Sequence, residues 1–252
     1  MADWNSELYL KFKKERTQPA VDLACRIRAC HPGKVADIGC GPGNSTEVLK
    51  SVFPDSEIHG IDNSQDMIGK ARKEHPELTF YLCDVNDIRG GYDVLFSNAC
   101  LQWIPDHASL LPKLMGKLNS GGILAVQLPM NQMEPLFCII DEVASDSRWG
   151  LGEQCFWAGG ALCPDAYYDI LSNCSSDFQM WETVYYHALP SHQALVDWIK
   201  GTRLRPYLEA LDSENAAAFE NEILCRAVKA YPARRDGNII LRFRRFFFVA
   251  EK

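Results

Sequence analysis

Hydrophobic positions come in short blocks whose period switches between strand and helix. Val35–Ile38 is an apolar run of strand length; it breaks into Gly39-Cys40-Gly41-Pro42-Gly43 and passes into a helical pattern from Ser45 to Lys50. Ile58–Ile61 is a second strand. Asn63-Ser64 then caps a helix to Glu74 that turns Met67, Ile68 and Ala71 inward. Leu78–Leu82 and Tyr92–Ser97 follow as strands. A helix over Ala108–Leu118 with Leu111, Leu114, Met115 and Leu118 inward is closed by Asn119-Ser-Gly-Gly122, and Gly122–Leu128 is a fifth strand. Strand and helix alternating across short links predict a parallel, doubly wound sheet, which binds ligands at the carboxyl ends of its strands.

The flanks read differently. Glu7 to Lys14 carries Leu8, Tyr9 and Phe12. A helix restarts at Thr17-Gln-Pro19, with Pro19 in its first turn. Ala20, Leu23, Ala24 and Ile27 form its apolar face, and His31-Pro32-Gly33 ends it. Past the fifth strand, Glu134–Ser145 and Tyr167–Asn173 are helical, and residues 146–165 show no clear period. Asp177–Leu189 and Asn238–Ala250 are long aromatic strands, with mostly helical sequence from Ser191 to Tyr231 between them. The expected organisation is a single domain: residues 1–31 as a helical lid, 32–189 and 232–252 as core, and 190–231 as a helical cap inserted over the cleft.

The glycine turn selects its ligand by what it lacks. A dinucleotide fingerprint needs G-x-G-x-x-G, and Asn44 follows Gly43; a P-loop needs a Lys-Ser/Thr pair, which is missing. The pattern is D-x-G-x-G-x-G, with Asp37 ending the strand. An acid there repels a pyrophosphate and suits an ammonium, and S-adenosylmethionine carries an ammonium and no phosphate. Asp62, at the end of the second strand, stands where a carboxylate accepts from ribose hydroxyls. Asp84, after the third, is placed for an adenine amino group or is a plain loop acid. Ser97-Asn-Ala-Cys-Leu-Gln-Trp103 follows the fourth strand without the Asn/Asp-Pro-Pro-aromatic motif common among amino-group methylases, and no general base is evident. A carboxylate acceptor needs none, being ionised at neutral pH. Arginine forks suit such an acid; the candidates are Arg16, Arg203, Arg205, Arg242, Arg244 and Arg245. Strand alternation sets Arg242 and Arg244 on one face and Arg245 on the other. Tyr185, Tyr186, His187 and His192 are possible hydrogen-bond donors, although an ordinary core or surface histidine is the commoner case.

Charge and cysteine content narrow the class. A formal charge of −7 disfavours nucleic acid as a partner. No apolar run reaches the length of a membrane span, and none near the start reads as a signal peptide. The ten cysteines are scattered without C-x-x-C spacing, so neither a zinc site nor a redox motif is expected, and a reduced, cytoplasmic setting is.

Asp3-Trp4-Asn5, Tyr9-Leu10, Phe12, Glu15-Arg16 and Pro19 together resemble the trans-aconitate 2-methyltransferase family. So do Ala36–Thr46, Gly60-Ile-Asp62, Met67-Ile68, Asn98–Trp103, Pro105-Asp-His107 and Ala125-Val-Gln127. The likeness continues through Tyr167–Leu171, Tyr185-Tyr-His187, Pro190–Gln193, Asp197-Trp198, Leu204-Arg-Pro206 and Arg245. It implies a Rossmann-like α/β fold: a seven-stranded, mostly parallel sheet with an antiparallel last strand and a helical cap. The activity implied is S-adenosylmethionine-dependent esterification of a carboxylate of a small polycarboxylic acid, trans-aconitate above all. Other readings are another small acid, a hydroxyl-bearing metabolite, or cofactor binding without catalysis. The expected cofactor residues are Asp37, Gly39, Cys40, Gly41, Gly43, Asn44, Asp62, Asn63, Met67, Asp84, Val85, Asn98, Ala99 and Trp103. Those expected for the acid are Arg16, Tyr185, Tyr186, His187, His192, Arg205 and Arg245. Arg205 and Arg245 match family positions; Arg242 and Arg244 do not. No residue is expected to act as acid or base, and no metal is expected.

Overall fold

The computed structural model describes residues 13–151 and 161–252. The motifs before Lys13 and residues 152–160 of the aperiodic segment lie outside the described residues.

A central strand organises the sheet. β1 (Lys34–Ile38) is buried at four of its five positions, as a strand covered on both faces must be. It pairs in parallel with β2 (Glu57–Asp62) on one side and β4 (Tyr92–Asn98) on the other. β3 (Thr79–Leu82) and β5 (Leu118–Pro129) extend the parallel part, and β7 (Ile239–Glu251) joins β5 antiparallel. With β6 (Asp177–Leu189) the order is β3-β2-β1-β4-β5-β7-β6, seven strands as expected. The chain order reverses at β1, so the crevice past the ends of β1 and β4 is the topological switch point.

Two boundaries differ from the sequence reading. The first described helix, α1 (Lys13–Arg26), runs unbroken through Pro19 rather than restarting at Thr17. Pro19 forfeits one helical hydrogen bond, but Ala20, Leu23 and Ala24 are fully buried and packing holds the helix together. Further on, α4 (His107–Lys117) is not closed by glycine; β5 begins at once at Leu118. Asn119 instead donates to Asp93 at 2.7 Å, and Gly121, at φ 72°, sits in a register shift of the β4–β5 pair.

Helices α2 (Asn44–Val52) and α3 (Gln65–Glu74) follow β1 and β2. Ser64 Oγ caps α3 by accepting from the Met67 amide, as its position predicted. Ile68 and Ala71 of α3 pack with Cys40 and Phe80.

The chain divides into two compact units. One takes in residues 14–129, 245–252 and the described part of 159–183, including α6 (Pro164–Cys174). The other takes in 184–244 and the described part of 130–158. Its helices are α5 (Pro135–Ala144), α7 (His192–Lys200), α8 (Arg205–Ala210) and α9 (Ser213–Ala230). Leu136, Ile140 and Val143 share one core with Leu195, Trp198, Phe219 and Ile223. The Tyr231 hydroxyl receives the Leu136 amide at 2.8 Å, tying the start of α5 to the end of α9.

Candidate active site

The glycine turn folds its amides inward. Gly39 and Cys40 both donate to the Ile61 carbonyl, at 2.7 and 3.1 Å, and Gly43 donates to the Cys40 carbonyl at 3.0 Å. The Gly41 amide donates to Asp62 Oδ2 at 3.0 Å, while Asp62 Oδ1 takes the Ser64 amide at 2.8 Å. A phosphate cradle presents such amides to its ligand; these four are taken up inside the protein. What the turn offers is bare backbone. A Cβ at Gly41 would meet nothing within 4 Å. At Gly39, φ 70°, a Cβ would lie 2.1 Å from Cys100 Sγ, so only glycine fits between the turn and the segment after β4.

Asp37 lies beneath the turn. It is fully buried, and its Oδ2 accepts from Ser45 Oγ at 2.7 Å and Thr46 Oγ1 at 2.6 Å, which fastens the first turn of α2 to the end of β1. Its Oδ1 has no partner, and neither do the buried Asn44 Oδ1 and Asn98 Oδ1. Buried acceptors left without donors call for an N–H or O–H partner.

Burial raises the Asp37 carboxyl from its ordinary 3.8 to about 6, against the two hydroxyl hydrogen bonds that lower it. Between those values the folded chain keeps a proton that the unfolded chain has released. The contribution of Asp37 to stability is therefore greatest below 3.8 and falls as pH rises through 6, by about 3 kcal/mol in all at 1.36 kcal/mol per unit. Denaturant titrations from pH 4 to 7 are expected to show the wild type losing about this much stability relative to Asp37→Asn; parallel curves would contradict it.

The other expected cofactor residues surround the same strand ends. Asp84 caps the turn Val85–Asp87, accepting the Asn86 amide at 2.9 Å and the Asn86 side chain at 2.8 Å, and these bonds hold its pKa low. Asn63 is exposed and Met67 buried. Ala99, directly after β4, takes φ 54°, uncommon for a residue with a Cβ and a form of strain found at functional sites. The turn Leu101–Trp103 that follows is fixed from behind. His107 Nε2 lies 2.8 Å from the Leu101 carbonyl, which only accepts, so that nitrogen carries the proton; Nδ1 then accepts from Tyr167 at 2.6 Å. Burial holds His107 below its usual pKa, and so neutral. Trp103, on that turn, is 43% exposed.

The residues expected to hold the acid fall in both units. Arg16 and Arg245 belong to the unit of the glycine turn. Arg245 is buried on β7, and its Nη1 donates to Gln127 Oε1 at 3.4 Å. Tyr185, Tyr186, His187, His192 and Arg205 belong to the other unit. There His187 stacks on Trp198 at 4.5 Å and on Tyr185 at 6.3 Å, whereas Tyr186, on the opposite face of β6, is 65% exposed. His192 Nε2 donates to the Tyr231 carbonyl at 2.7 Å, and Arg205 pairs with Glu209 at 2.7 Å. Among the described residues no cluster could hold a metal ion. Gln127, which bonds Arg245, was not among the residues expected from the sequence. Its signal is a lone amide in the otherwise apolar run Ile123–Leu128.

Residues 32–201 match a family model described as a methyltransferase domain, which makes the chain a methyltransferase by family. Among solved structures, the YcgJ protein of Bacillus subtilis is similar at TM-score 0.61 and 13% identity, over 93% of this chain and 98% of that one. Phosphoethanolamine N-methyltransferase 2 of Haemonchus contortus, in complex with S-adenosyl-L-methionine, is similar at TM-score 0.54 and 17% identity, over 92% and 52%. These likenesses are of fold. The sequence is more specific: it is 44% identical to trans-aconitate 2-methyltransferase of Rhodopseudomonas palustris, over all of both chains. It is also 42% identical to that of Yersinia pestis, over 99% of this chain and 98% of that one. The chain belongs to the trans-aconitate 2-methyltransferase family.

Proposed function

We propose that the protein esterifies a carboxylate of trans-aconitate, giving the monomethyl ester. The observation that carries the reading is full-length identity above 40% to enzymes of that name; a glycine turn whose amides are taken up inside the protein, and so are not offered to a phosphate, supports it. When bound, S-adenosylmethionine supplies an electrophilic methyl on a sulfonium, which departs as a neutral thioether when a carboxylate oxygen takes the methyl. No proton moves, in keeping with a site where sequence reasoning found no general base. The protein's part is to align the groups and exclude water.

Gly39, Cys40, Gly41 and Gly43 form the surface on which the donor rests, and Asp62, already set by two amides, accepts from its ribose. Asp37, Asn44 and Asn98 face its ammonium with acceptors. Asn63, Met67, Asp84, Val85, Ala99 and Trp103 border the nucleoside. Arg245, a buried guanidinium, anchors the acid, with Arg16 as a second cation of the same unit. His192 and Arg205, in the other unit, bond the Tyr231 carbonyl and Glu209. The partner is thus a small polycarboxylate. A cytoplasmic setting belongs to the same reading, and the nine described cysteines are free thiols, the state a reducing compartment maintains.

The test is turnover with methyl-labelled donor over a panel of di- and tricarboxylates and neutral hydroxyl compounds. Trans-aconitate is expected to be the preferred acceptor and the product an ester. A neutral acceptor outcompeting every acid would refute the reading.

A further inference from the structure

Arg245 has a neighbour whose chemistry is half used. Gln127 is fully buried at the end of β5. Its Oε1 accepts from Arg245 Nη1 at 3.4 Å. The orientation of that amide is fixed by chemistry, because a guanidinium has donors and no acceptor, so the oxygen must face it. The Nε2 group is thereby turned elsewhere, and it is a buried donor with no partner. Such a group is costly to leave unsatisfied and calls for an explanation. Beside it, Asn98 is the register partner of Gln127 on β4, so the two share a face of the sheet. Asn98 Oδ1 is likewise buried without a partner, and no hydrogen bond joins the two amides. A short row at the carboxyl ends of β4 and β5 thus offers one acceptor, then one N–H donor, then a cation.

We infer that Gln127 Nε2 and the Arg245 guanidinium form a two-donor site for a carboxylate, with Gln127 both a direct ligand and the residue that orients the arginine. This rests on the functional reading above and adds a specificity residue to it. A donor beside a fixed cation favours an anion with two oxygens over a neutral hydroxyl, which leaves the buried charge uncompensated. Two molecules of the reaction bring such a group: the acceptor acid, and the amino-acid tail of the methyl donor.

Two variants of the full chain separate the possibilities. Gln127→Leu removes both hydrogen bonds at similar volume. Gln127→Glu keeps an oxygen toward Arg245 and turns the free donor into a charged acceptor. Affinity for S-adenosylhomocysteine and for trans-aconitate is measured by titration in each, alongside KM, kcat and thermal midpoint. Gln127→Leu is expected to weaken trans-aconitate about tenfold to a hundredfold, the scale of a hydrogen bond to a charged group, while S-adenosylhomocysteine stays within about twofold. Gln127→Glu is expected to weaken the same ligand further. The reverse pattern would give this carboxylate site to the donor's amino-acid tail and count against Arg245 as the anchor of the acid. Unchanged affinities in Gln127→Leu would overturn the proposal. So would Gln127→Glu matching the wild type, or equal weakening of both ligands with a lowered midpoint, which would mark a structural role. A wild type that binds both ligands and methylates nothing would count against the functional reading and leave this site standing.

Discussion

Replacing Gly39 by alanine is expected to destabilise the fold, whereas the same change at Gly41 is expected to spare the fold and damage ligand binding. Both residues have positive φ, 70° and 53°, so each alanine pays about 1–2 kcal/mol for a left-handed backbone. Only at Gly39 does the new methyl also strike something: it would lie 2.1 Å from Cys100 Sγ and 2.3 Å from Cys100 Cβ. Overpacking adds roughly 1–3 kcal/mol. The total, about 2–5 kcal/mol, corresponds to a fall in thermal midpoint of roughly 5–20 °C for a chain of this size. Gly41→Ala is expected to lose only about 2–8 °C on the same scale. Its methyl, however, enters the open space proposed above for the donor, and affinity for S-adenosylhomocysteine is expected to drop at least about tenfold, the result of overlap costing ~1.4 kcal/mol or more. Differential scanning fluorimetry and calorimetric titration of both variants read the two effects separately. Undiminished binding in Gly41→Ala would place the ligand elsewhere.

The second large effect is expected at Arg245. Arg245→Met keeps much of the side chain's volume and removes a buried cation that is 5% exposed. Removing one partner of a buried, hydrogen-bonded charge pair costs about 2–5 kcal/mol, so KM for the acid is expected to rise by roughly thirtyfold to several thousandfold. Arg245→Lys retains the charge without the planar fork and is expected to fall between the two. Arg242→Met and Arg244→Met, at exposed positions of the same strand, are expected to leave KM within about twofold. Equal effects at all three would show that net positive charge, rather than one anchored guanidinium, serves the acid.

The parts of this protein legible in its sequence were those governed by local chemistry. The strand ends around Asp37 and Asp62, the Ser64 cap and the helix to Glu74 follow from period and capping alone, and the structure places them within a residue or two. The unbroken helix through Pro19 was not legible, because burial of Ala20, Leu23 and Ala24 outweighs the local preference of proline. Nor was the early start of β5 at Leu118. It depends on pairing with Tyr92 and on Asn119 reaching Asp93, contacts between residues distant in sequence. At the site, the spacing of acids and glycines gave the ligand's character but not the position of Asp37. Ser45 and Thr46, eight and nine residues on, draw its carboxylate under the turn. Gln127 illustrates the remaining gap. Its meaning comes from an arginine 118 positions away, brought beside it by the antiparallel pairing of β5 and β7.

Whether a cationic donor rests on the bare backbone at Gly41 while Arg245 anchors a carboxylate is tested most directly by solving the chain with S-adenosylhomocysteine and trans-aconitate together. Expected is a nucleoside against Gly41 with ribose hydroxyls on Asp62, its ammonium toward Asn44 and Asn98, and a carboxylate hydrogen-bonded to Arg245. A nucleoside bound away from the turn, or an acid bound with no carboxylate on Arg245, would contradict it.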